Sequence, residues 1–283
     1  MDVLSYTPAD SAHERWLARA IDDASRDLGG LRDAIMERVA IRRHERVLDL
    51  NAGTGMLTWE ALRRAPEGGV WTQTADADTA QALEQVSAQL PPLERPMVLL
   101  TSIVDLPRAL AARGDADVHF DVVIGRNALL DQVDKPRAIA ALGPILAEHC
   151  RICLCETAVY DGQRLYRLCD VTSLGKGLAE RLAQAEEMIY SDADDPLLNW
   201  RPSILIDAFQ SVGIHAQSEV LTTTSDRLIT PQQVERWFAP TTSGKASYAQ
   251  RLMRVLTQAE VAQVQALFRH ELAGATVRWT WNS

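Results

Sequence analysis

Val47-Leu48-Asp49-Leu50-Asn51-Ala52-Gly53-Thr54-Gly55-Met56 decides how the rest of the chain is read. An apolar run ends in an acid, a loop of small residues follows, and Leu57, Ala61 and Leu62 then recur at helical spacing. This order specifies strand, glycine loop and helix, the opening of a βαβ unit whose loop can bring backbone N–H groups against a ligand.

The flanking chain repeats the rhythm. Strands are expected at Arg46–Leu50, Val70–Ala75, Met97–Thr101, Phe120–Ile124 and Arg151–Cys155, with helical patterns between them. Strands alternating with helices specify an α/β fold with a doubly wound, mostly parallel sheet. Upstream, residues 10–42 read as two helices separated by Gly29-Gly30. They form either an edge cap or a lid carrying Tyr6, His13 and Trp16. Downstream, residues 163–190 read as largely helical, 204–211 as a helix and 214–222 as a sixth strand. Helices follow from Thr230-Pro231 to Leu272, and Ala275–Trp281 alternates as a closing strand. The expected organisation is an N-terminal helical cap (1–44), a Rossmann-like core (45–160) and a C-terminal part (161–283) completing a seven-stranded sheet. Helical insertions are expected near 163–200 and 231–272.

Composition narrows the function. The net charge is −9 across 283 residues, which argues against broad electrostatic binding to nucleic acid. No run is long enough to span a membrane, and the N-terminus lacks a signal-peptide layout. Cys153 and Cys155 fall in an apolar strand pattern with Cys150 off their face, and no second Cys pair or zinc-spaced His pair accompanies them. Reduced, buried thiols, no metal site and a cytoplasmic location are expected.

The glycine loop fails the dinucleotide fingerprint G-x-G-x-x-G, because Thr58 stands at the third glycine position. With its preceding acid, Asp49-Leu50-Asn51-Ala52-Gly53-Thr54-Gly55 instead resembles the D-x-G-x-G-x-G signature of class I S-adenosylmethionine-dependent methyltransferases. It departs only at the first glycine, which is Asn51, the non-glycine type most tolerant of positive φ. The resemblance covers residues 30–157 and includes Phe120-Asp121-Val122-Val123-Ile124-Gly125-Arg126-Asn127 as the fourth-strand pattern.

That resemblance implies S-adenosyl-L-methionine as cofactor. It would be held by Asp49, Asn51, Ala52, Gly53, Thr54 and Gly55 of the loop, and by Arg126 and Asn127 after the fourth strand. Asp76, at the end of the second strand, would take the ribose hydroxyls. Asp78 competes for that role but reads as a helix cap, with Gln81 completing a capping box. After the third strand the family often places an acid for the adenine amine. Here Ser102 and Ile103 stand there, Ser102 as an acceptor and Ile103 as packing.

Methyl transfer needs alignment more than a base. The candidates for a base are Glu156, Tyr160 and His13, whereas His44, His119, His149 and His215 fall at the wrong edge of the sheet. The expected acceptor is a small molecule or a protein. A looser resemblance links Ile229-Thr230-Pro231 through Trp237-Phe238, Ser247-Tyr248 and Val277-Arg278-Trp279 to the methyltransferase-like segment that some bacteria carry behind a RarA/MgsA-type AAA+ ATPase. It implies a second reading, a binding module with little or no catalysis inside a larger DNA-maintenance protein.

Overall fold

The computed structural model describes residues 28–240 and 246–283. It divides into two compact units. The described part of the first comprises residues 28–156 and Ala208–Ile214, and the second comprises Thr157–Asp207 and His215–Ser283.

The first unit is built on five strands: β1 (Arg46–Leu50), β2 (Gly69–Thr74), β3 (Met97–Leu100), β4 (Phe120–Arg126) and β5 (Leu146–Cys155). They are parallel and ordered β3-β2-β1-β4-β5. α1, over residues 28–39, precedes β1, and α2 (Met56–Arg64), α3 (Ala77–Ser87), α4 (Leu106–Arg113) and α5 (Lys135–Leu142) connect successive strands. β1, β2 and β4 are buried almost throughout, as strands covered on both faces are. Ile35, Met36 and Val39 of α1 and Leu57 and Ala61 of α2 pack on Val47, Val70, Val122 and Ile124. Trp71 of β2 meets Phe120 of β4 edge to face at 5.3 Å, the two strands flanking β1. β5 starts five residues before its expected beginning at Arg151, with a register shift between Phe120 and Val122 on its partner.

The second unit holds α6 (Lys176–Ile189), β6 (Thr222–Leu228), α8 (Pro231–Phe238), α9 (Tyr248–Leu252), α10 (Gln258–Glu271) and β7 (Thr276–Asn282). The intervening helix, α7, covers Pro202–Ser211. Leu182, Val234, Leu252, Val264 and Phe268 form the centre of the core, with Val277 and Trp279 of β7 laid against it. Glu186 is buried at 0% exposure yet satisfied: it accepts the N–H groups of Leu165 and Tyr166 and the hydroxyl of Tyr248.

Seven strands are present among the described residues, but not in one sheet. β6 and β7 pair antiparallel with each other as a separate ribbon, so the parallel sheet has five strands rather than seven. Residues 214–222, expected as the sixth strand, contain only its first residue. The ladder instead takes Thr222–Leu228, whose residues pair one for one with Thr276–Asn282. Pairing partners, rather than local alternation, decide which of two plausible segments becomes a strand. The helical reading of 163–190 is also shortened: short 3₁₀ turns occupy Leu165–Arg167 and Val171–Leu174 before α6 begins.

Candidate cofactor site at the carboxyl edge of the sheet

β1 and β4 are the neighbours at which the strand order reverses, and the crevice for a ligand opens beyond their carboxyl ends. The β1–α2 loop enters it through two left-handed residues, Asn51 at φ 54° and Gly53 at φ 52°, and reaches α2 through Gly55 at φ 78°. Gly55 is required twice. Its φ favours glycine, and a Cβ would lie 2.5 Å from Nε1 of Trp59 and 2.8 Å from Cδ2 of Leu83. Gly55 offers no side-chain cap and the first turn of α2 carries no acid, so the helix N-terminus keeps backbone donors for something else. By contrast, α3, α5, α8, α9 and α10 are all closed by a capping side chain.

Gln73, near the end of β2, fastens the loop. Its Oε1 accepts the Asn51 N–H at 3.0 Å, its carbonyl accepts the Ala52 N–H at 3.0 Å, and its Nε2 donates to the Thr101 carbonyl at 2.6 Å. One amide side chain thus ties together the ends of β1, β2 and β3. No motif singles out Gln73, and the polar run Thr72-Gln73-Thr74 closing a buried strand is the available signal.

Asp49 lies on the same face of β1 as Val47, the face covered by α2, because side chains alternate along a strand. Its Oδ2 accepts the Thr58 hydroxyl at 2.6 Å, and Thr58 Oγ1 lies 2.9 Å from Thr72 Oγ1. Burial lifts the carboxyl from 3.8 to about 7, against the hydrogen bonding of Thr58, and Oδ1 is buried with no partner. Asp49 therefore acts beneath the loop, not at its surface.

Asp76, exposed at the end of β2, is the N-cap of α3: its Oδ2 accepts the Thr79 N–H at 2.8 Å. The capping role expected of Asp78 falls to Asp76 because α3 starts at Ala77, which puts Asp78 inside the first turn. Hydrogen bonds from the Thr79 side chain and backbone hold the Asp76 carboxyl below its ordinary range.

After β3, the Ser102 hydroxyl donates to Asp105 Oδ2 at 2.7 Å and accepts the Asp105 N–H at 3.2 Å. A carboxylate does stand at this edge, three residues beyond the expected place. Ser-x-x-Asp before a helix is the spacing that could have found it. Ile103 is 2% exposed and belongs to the core.

β4 ends at Arg126, and the loop after it opens with Asn127 at φ 53°. The Asn127 N–H donates to the Cys155 carbonyl at 2.8 Å, and the Leu129 N–H to Glu156 Oε1 at 3.1 Å. Glu156 is thus spent on the neighbouring loop. Burial raises its carboxyl to about 7, and its Oε2 is buried without a partner.

The remaining candidates are distributed elsewhere. Tyr160 belongs to the second unit, edge to face with Trp200 at 5.3 Å and beneath the Arg201 guanidinium at 3.9 Å. His13 lies outside the described residues, as do Tyr6 and Trp16. His44, His119, His149 and His215 are all exposed. Trp237 and Phe238 pack in the second unit's core. Among the described residues, no three His, Cys, Asp or Glu side chains converge as metal ligands, and no helix is long and apolar enough to cross a membrane.

No protein-family model and no curated protein matches the sequence. Among solved structures, the chain is similar to BH2331 of Bacillus halodurans C-125, "a putative methyltransferase". The TM-score is 0.51 and the identity 11%, over 89% of this chain and 94% of that one. It also aligns with geranyl diphosphate methyltransferase in complex with S-adenosylmethionine, at TM-score 0.48 and 13% identity over 94% of this chain and 88% of that one. With its β3-β2-β1-β4-β5 sheet and glycine loop at the strand-order reversal, the chain has the class I S-adenosylmethionine-dependent methyltransferase fold.

Proposed function

We propose that the protein binds S-adenosylmethionine at the carboxyl edge of the five-stranded sheet and is a methyltransferase acting on a small molecule or a protein. The observation that carries this reading is the uncapped N-terminus of α2, with no acid in its first turn, behind a loop with three left-handed residues at the point where the strand order reverses. Such an arrangement suits a carboxylate-bearing ligand.

The donor set fits the group. The Gly53–Gly55 loop and the start of α2 would receive the amino-acid carboxylate. Asp76, an ionised acceptor, would take the ribose diol. The Ser102–Asp105 pair would accept from the adenine amine. Once bound, S-adenosylmethionine supplies a methyl group on a sulfonium, ready for in-line displacement. The chain's contribution is then to hold and align, and no base is required for an acceptor that is already nucleophilic. Glu156 is better read as a positioning residue for the loop after β4 than as a base.

Titration calorimetry with S-adenosylmethionine and S-adenosylhomocysteine tests the reading. Saturable heat with both is expected, together with a rise in unfolding temperature. No heat and no thermal shift at millimolar ligand would exclude it.

A second reading, a binding module with little or no catalysis, is favoured by one observation: the Asn51 side chain donates to the Arg126 and Asn127 carbonyls, joining the two loops at the strand-order reversal. Under that reading the association with an AAA+ ATPase becomes a role for the module, and a purified ATPase of that class should be retained on the immobilised protein.

A further inference from the structure

Asn51 stands where the signature has its first glycine. Its Nδ2 donates to the carbonyl oxygens of Arg126 at 3.1 Å and Asn127 at 2.9 Å. A carboxamide has two N–H donors, and both are consumed here. The contact joins the β1–α2 loop to the loop after β4, directly across the reversal point between β1 and β4. The N–H groups of that second loop are held from the opposite side, by the Cys155 carbonyl and by Glu156. The loop is therefore clamped from β5 through its N–H groups and from β1 through its carbonyls.

We propose that Asn51 is an internal occupant of the crevice, a strap that competes with a ligand for the Arg126 and Asn127 carbonyls. Only an N–H or O–H donor can replace the carboxamide there, so the strap sets a threshold for ligands that carry such a group at this point. The proposal rests on the reading that S-adenosylmethionine binds in this crevice. The strap lies at an exposed position, where a hydrogen bond contributes little net stability and can be exchanged for one to a ligand.

Asn51→Gly is the informative variant. At φ 54° glycine replaces asparagine without backbone strain, so only the carboxamide is lost. S-adenosylmethionine is titrated into the wild-type protein and N51G. Hydrogen exchange of the peptide covering 126–131 is followed without ligand. N51G is expected to bind about tenfold more tightly, the equivalent of one modest hydrogen bond relieved of competition, and to exchange faster in that peptide. N51D keeps the shape and tolerates the same φ but cannot donate, so it should show the same faster exchange if N51G folds poorly. Wild-type binding with equal or weaker affinity in N51G overturns the strap while leaving the cofactor reading intact. Absence of binding in both overturns the cofactor reading and the strap with it.

Discussion

At the residue scale, Asp76 carries two duties that a single substitution would confuse. It caps α3 through Thr79, and the proposed site asks it to accept from a ribose diol. Asparagine caps a helix as well as aspartate does, whereas alanine does not. Asp76→Asn should therefore keep the urea midpoint of the wild type but lower S-adenosylmethionine affinity by about tenfold. Asp76→Ala should lower both. Wild-type affinity in the asparagine variant would move the diol elsewhere, with Asp78 the first alternative. Asn51 shows the same economy: its type tolerates the positive φ of a glycine position, and its side chain joins the β1–α2 loop to the end of β4 and the loop after it.

At the element scale, the second unit is organised by its helix starts. α8, α9 and α10 each open with a complete capping box, formed by Thr230 with Gln233, Ser247 with Gln250 and Thr257 with Glu260. Each box satisfies donors that the helix cannot satisfy itself. Thr257→Ala should cost about 1 kcal/mol of stability in urea unfolding, with no change in S-adenosylmethionine affinity. A loss below a few tenths would mean that Glu260, which also pairs with Arg181, holds the helix start alone. The contrast with α2 gives these caps their interest, since that helix alone combines a glycine loop, an uncapped start and a place at the reversal point of the sheet.

At the scale of the whole molecule, Asp49 and Glu156 are buried carboxyls whose burial raises them to about 7. The sign follows from proton binding: between the ordinary carboxylate range and about 7, the folded state holds protons that the unfolded state has lost. Their contribution to stability therefore falls as pH rises through that window. Asp49→Asn removes one of the two groups. Unfolding free energies at pH 5 and pH 7.5 should differ less for this variant than for the wild type, with the variant gaining relative stability at the higher pH. An unchanged difference would mean that Asp49 is ionised throughout and is held by the two threonines. Glu60 runs the other way. Its hydrogen bond to Arg63, followed by that to Arg64, lowers it to about 2, so its contribution is lost as pH falls below the ordinary carboxylate range.

The sequence by itself determined the parallel core, because strand period, helical period and glycine punctuation all agree over residues 46–155. It also determined the loop at Asn51–Gly55, where backbone conformation restricts residue type. Tertiary structure alone decided where the two buried carboxylates point. Asp49 turned under α2 to Thr58, and Glu156 reached across to Leu129. Their partners come from other elements and no local pattern encodes them, whereas Asp76 with Thr79 and Ser102 with Asp105 are contacts three residues apart. The same reason explains the last two strands: alternation made residues 214–222 a plausible strand, but the hydrogen-bond ladder formed where Thr276–Asn282 could supply a partner.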